Sequence, residues 1–124
     1  MSENINEMYT EGNIKISDEV ISTIAAIAVS EIDGAEVSSN AINDIVEKFG
    51  KKNYSKGIKI TRGDFLAIDI NITVEFGLKI QEIAHAIQAN VKKNVELMSG
   101  LEVDKVNVHV NGIVNVESEQ KSVK

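Results

Sequence analysis

From Phe65 to Phe76 the chain alternates almost without interruption, and no other stretch restricts the fold as strongly. Leu66, Ile68, Ile70, Ile72, Val74 and Phe76 fall on one side of an extended strand, and Ala67, Asp69, Asn71, Thr73 and Glu75 on the other. Side chains two residues apart share a strand face, so one face must be buried and the other wetted. The pattern predicts a half-buried antiparallel strand, covered on its aliphatic side only.

The flanking segments can supply that cover. Ser17 is placed to cap a helix with Asp18 and Glu19 in its first turn, running to about Ile32 and stopped at Gly34. Val20, Ile21, Ile24, Ala25, Ile27, Ala28 and Ile32 form its apolar stripe. Residues 79–98 repeat helical spacing through Ile80, Ile83, Ala84, Ile87, Val91, Val95 and Met98. A shorter helix is expected over residues 40–50, from Ile42, Ile45, Val46 and Phe49. Strands are expected at residues 14–16 and from Gly57, the latter turning at Arg62-Gly63-Asp64. A last strand places Val106, Val108 and Val110 inward and Lys105, Asn107, His109 and Asn111 outward. A slip of the alternation near Asp104 predicts a bulge there.

The order β-α-(α)-β-β-α-β describes an α+β domain: a small antiparallel or mixed sheet with two main helices and one short helix packed on one face. Residues 12–116 are expected to form that single domain, with flexible tails at 1–11 and 117–124. The N-terminus lacks a basic, apolar leader pattern, and the longest uncharged apolar stretch is too short to span a bilayer, so no direct transmembrane insertion is expected.

A search for chemistry meets geometric obstacles. His85 and His109 share no carboxylate or imidazole at a chelating offset. Asp69 and Glu75 share a strand face but are about 20 Å apart at 3.3 Å per residue, too far for an acid/base couple. Asp64 and Asp69 fall on opposite faces by parity. No serine sits in a nucleophile elbow, and with no cysteine in the chain there is no thiolate nucleophile or sulfur ligand. No catalytic residue, metal site or cofactor is expected, and function is expected to lie in the surface.

Two surfaces stand out. Lys48, Lys51, Lys52, Lys56, Lys59 and Arg62 form a basic window without an acid, in a chain whose net charge is -6. Such a patch suits an anionic partner or is an ordinary solvated face. With only Tyr54 available for stacking and an acidic balance overall, nucleic acid is disfavoured. The second surface is the uncharged back of the first helix, where Ser22, Ala26 and Val29 need cover from residues 36–49, from a partner, or from a second copy.

The stretch from Gly12 to Val20, the helix ending Glu31-Ile-Asp-Gly-Ala, the segment Lys51-Lys-Asn-Tyr-Ser-Lys-Gly-Ile and the strand end Val74-Glu-Phe-Gly together resemble the alkaline shock protein family. Ile80-Gln-Glu-Ile-Ala, Glu96-Leu-Met-Ser-Gly-Leu and Val106-Asn-Val-His-Val-Asn-Gly-Ile extend the resemblance over about residues 12–114. It implies a Gram-positive cytoplasmic protein without catalysis, acting in alkaline or cell-envelope stress through a protein partner, including a membrane-anchored one, with self-association. It also implies, as another reading, regulation of a metabolic enzyme such as one of lipid precursor synthesis; the basic window and an open sheet face give a weak RNA-binding module as a third. Gly34, Gly57, Gly77, Gly100 and Gly112 are expected as turn positions. Ala35 departs from the Val usual in the family.

Overall fold

The computed structural model describes residues 12–38 and 57–115 of the chain. The expected tails, the expected helix at 40–50, and Lys48, Lys51, Lys52 and Lys56 lie outside these residues.

The alternating run becomes the central strand β3, Leu66–Glu75, and its aliphatic side is buried as the pattern requires. Ile68, Ile70, Ile72 and Val74 are wholly excluded from solvent. Phe76, expected on that side, lies past the last strand residue and is exposed, because the chain turns at Gly77 towards the next helix. Strands β1, Ala35–Val37, and β2, Ile58–Arg62, pair antiparallel with β3. Strand β4, Val103–Val114, pairs parallel with it. The sheet is therefore mixed, and β3 is antiparallel to β1 and β2 but not to β4. The crossover helix between β3 and β4 explains this, since it returns the chain to the end where β3 began.

β1 and β2 lie end to end along one edge of β3. β1 pairs with residues 72–74 and β2 with residues 66–70, in the same direction. At the seam the Ser38 amide donates to Asn71 O (2.6 Å), and Asn71 Nδ2 donates to Gly57 O (3.3 Å). A Cβ on Gly57 would collide with the Ser38 carbonyl and with Val37 Cγ1, so the need for Gly here is close approach and not a turn. No strand forms at 14–16, where Ile14 is exposed; the edge is supplied by β1, which the sequence pattern did not signal. Three residues of alternation carry too little buried area to hold a strand by themselves.

Among the described residues two helices cover the buried face. Helix α1, Asp18–Ser30, is capped as expected, with Ser17 Oγ accepting from the Val20 amide at 3.2 Å. It packs against α2, Ile80–Ser99, and against β1 and β2. Of the expected stripe Ile21, Ile24, Ala25 and Ala28 are buried, but Val20 and Ile27 are exposed and Ser22, Ala26 and Val29 are buried instead, so the buried face is rotated. With no charge between Glu19 and Glu31, hydrophobicity alone cannot set the orientation of this helix. Small side chains at Ser22, Ala25 and Ala26 allow neighbours to approach closely, and burial follows them. In α2 the stripe is narrower and as expected for Ile83, Ile87, Val91 and Val95, whereas Ile80 and Met98 are exposed.

Side-chain hydrogen bonds fix α2 to its neighbours. Asn90 Nδ2 donates to Ala28 O (2.8 Å) and to Glu31 Oε1 (2.9 Å), joining α2 to the end of α1. Gln88 Nε2 donates to Val106 O (3.0 Å) on β4. Lys92 Nζ reaches both Glu96 Oε2 (2.8 Å) and Val103 O (2.7 Å), and the same carboxylate oxygen accepts from the Val103 amide at 2.9 Å. The Lys92 hydrogen bond, followed by the Val103 amide, holds the Glu96 carboxyl below its ordinary pKa of 4.5. The expected bulge is present: Leu66 pairs with Val103 and Ala67 with Lys105, leaving Asp104 unmatched. A second one, at Asn111, lies between the pairs Ile72 with Val110 and Thr73 with Gly112.

Candidate interaction surfaces

Of the basic window, the described residues are Lys59 and Arg62. Lys59 is exposed on β2, directly across from Asp69. Arg62 is exposed but occupied: its Nε donates to Asp18 Oδ1 at 2.8 Å, and its Nη2 donates to Ile16 O. The guanidinium thus ties the start of α1 to the end of β2, a structural task that a sequence reading of charge cannot distinguish from a docking patch.

The back of the first helix does not form a surface. Ser22, Ala26 and Val29 are 3%, 4% and 0% exposed, because the helix is flanked by strands and by α2. These three residues belong to the core of the chain itself.

The open face of the sheet carries an ordered ladder of polar side chains. Asn107 Nδ2 donates to Asp69 Oδ1 at 3.0 Å, and His109 Nε2 lies 3.4 Å from the same oxygen. Asn111 Nδ2 donates to Asn71 Oδ1 at 2.9 Å, and Asn71 uses its own amide on Gly57 O. The alternation of β3 and β4 predicts that these residues face outward, but their partnership depends on the parallel register, which joins positions 38 to 40 residues apart. His85 lies far from this ladder in sequence and is exposed on α2. Among the described residues no three His, Asp or Glu side chains converge as a metal site would need.

One corner of the molecule combines apolar exposure with acidic charge. It lies where β1 begins, β3 and β4 finish and α2 starts, tied by the Glu75 amide on Gly34 O (2.9 Å) and the Phe76 amide on Val114 O (2.7 Å). Phe76, Leu78, Ile80 and Ile113 are 72%, 44%, 40% and 51% exposed there. Gly34, at a φ of 92°, leaves the space that the Leu78 side chain enters; a Cβ would occupy it. Beside them is a depression of about 320 Å³ lined by Gly34, Ala35, Glu36, Val74, Glu75 and Val114, among others. Large exposed apolar side chains grouped in this way mark contact surfaces more often than isolated ones do. No sequence pattern marks the corner, because Phe76 continues the alternation of β3 and Ile80 the stripe of α2.

Among the described residues no helix is long and apolar enough to cross a membrane. The sequence profile of the alkaline shock protein 23 family, described as having a cell envelope-related function, matches residues 6–115. The uncharacterized protein YqhY of Bacillus subtilis is 39% identical over 104 residues, covering 82% of this chain and 77% of that protein. The uncharacterized protein YloU of the same organism is 40% identical over 106 residues, covering 82% of this chain and 88% of its own. The uncharacterized protein Spy1614 of Streptococcus pyogenes is 36% identical over 107 residues, with 83% and 88% covered. No solved structure shows a significant match. By the span of the profile match and the identity to these relatives, the chain belongs to the alkaline shock protein 23 family, whose function is related to the cell envelope.

Proposed function

We propose that the chain is a non-catalytic interaction protein of cell-envelope homeostasis, acting in the cytoplasm by binding a protein partner that is itself membrane-anchored. The family's envelope-related function supports the setting. The exposed corner of Phe76, Leu78, Ile80 and Ile113 is the observation that carries the binding role. Aromatic and aliphatic side chains left in water cost free energy that a partner recovers by covering them. The polar ladder supports the non-catalytic part of the reading: Asp69 is shared by an amide and an imidazole from β4, an arrangement that locks register between strands.

Affinity capture of the tagged full-length protein from cells that express it, with mass spectrometry of what is retained, tests the proposal. An envelope-associated protein recovered in near-stoichiometric amount, more strongly under alkaline or envelope stress, is the expected result. Capture of no such protein under either condition overturns it.

A further inference from the structure

We infer that the apolar corner is the docking site itself, and that the segment it takes from the partner is basic, with apolar anchors set among Lys or Arg residues. This rests on the interaction reading above and adds the place and the chemistry.

Charge decides the class of occupant. Around Phe76, Leu78, Ile80 and Ile113 stand Glu36 and Glu75 on the rim of the depression, Asp33 before Gly34 and Glu82 in the first turn of α2. Among the described residues the cation beside them is Lys79, which lies 3.8 Å from Glu82. Among the described residues the corner is thus an apolar centre with a mostly acidic rim. An anionic lipid surface would be repelled by that rim, and an acidic peptide likewise. A basic segment gains on both counts: its aliphatic or aromatic side chains cover the exposed centre and enter the depression, while its cations meet the carboxylates.

A membrane-anchored partner of the kind proposed above would carry such a segment. Segments on the cytoplasmic side of a membrane span are enriched in Lys and Arg, so the stretch nearest such an anchor has the charge this corner complements. Among the described residues, the opposite end of the sheet does not offer the same match. There the exposed Phe65, Leu97 and Met98 stand among charges of both signs, with Lys105 Nζ 5.7 Å from the Phe65 ring centre.

The test titrates the full-length protein with a synthetic amphipathic helix built of Leu and Lys, and with the same helix carrying Glu in place of Lys. The Leu/Lys peptide should bind at least about tenfold tighter than the Leu/Glu one. Phe76→Ser should weaken it by a further factor of about ten or more, as removal of a central anchor does. Glu36→Lys with Glu82→Lys, both on exposed positions, should reverse the preference without touching the core. Equal binding of the two peptides, indifference to Phe76→Ser, or unchanged preference in the charge-reversed protein overturns the inference. So does tighter binding to anionic phospholipid vesicles than to the Leu/Lys peptide, or protein self-association that Phe76→Ser abolishes while peptide binding is unaffected. If the wild-type protein captures its envelope partner from cells and Phe76→Ser captures it equally well, this docking site fails while the interaction reading stands.

Discussion

On one face of β3, Ile68, Ile70, Ile72 and Val74 exclude water completely; on the other, Asp69 and Asn71 are held by side chains from β4 while remaining within reach of solvent. The first face gains by area, in contacts that have no direction, whereas the second exchanges hydrogen bonds to water for hydrogen bonds of defined geometry at small net gain. The aliphatic face therefore carries stability and the polar face fixes which residue of β4 lies beside which residue of β3. A strand divided in this way leaves the ends of the sheet free to present other side chains, since little of the fold depends on them.

Substitutions that strip each face separately would break or sharpen this contrast. Ile70→Ala, in the middle of the buried row, is expected to cost about 2–5 kcal/mol in chemical denaturation, from lost transfer free energy and the cavity left behind. Gly57→Ala should come next, at about 1–3 kcal/mol, because the added methyl meets backbone at the seam between β1 and β2 and something in the sheet has to move. Asp69→Ala removes the acceptor shared by Asn107 and His109 and should cost only about 1 kcal/mol, with its main effect on hydrogen exchange along β4. Arg62→Ala should cost less than about 1 kcal/mol, since both it and Asp18 are exposed.

A smaller effect is confined to acid. The Glu96 carboxyl is held below its ordinary 4.5, so its contribution to stability is complete above that value and is lost as the pH falls through the lower, folded-state value. Glu96→Gln should therefore flatten the acid limb of a stability-against-pH curve and leave its slope near neutrality unchanged. A change in slope near neutrality would assign the titration to another group.

Much of this fold was legible in the residues, for physical reasons that also explain the failures. Period-two alternation in β3 and the Ser17 cap are local signals, and the slip near Asp104 is a local one as well; all three are present. The orientation of α1 is not legible in its uncharged sequence, which leaves packing to small side chains, so Ser22, Ala26 and Val29 are core. Arg62 has a partner 44 residues away, and no local pattern announces a distant ion pair. Phe76 matched the parity of β3, but the strand ends one residue earlier, and that displacement turns a core residue into the centre of an exposed corner. The site was therefore the least legible part: it lies where periodic elements stop, and periodicity is what a sequence reports best.

If stability resides in the aliphatic face and function in an exposed corner, the two can be separated in one molecule. The most direct measurement is the amount of envelope partner captured from cells by Phe76→Ser protein, read beside its melting temperature. The account predicts that capture falls to background while the melting temperature stays at the wild-type value. Capture at the wild-type level, or a loss that only follows a fall in melting temperature, would contradict it.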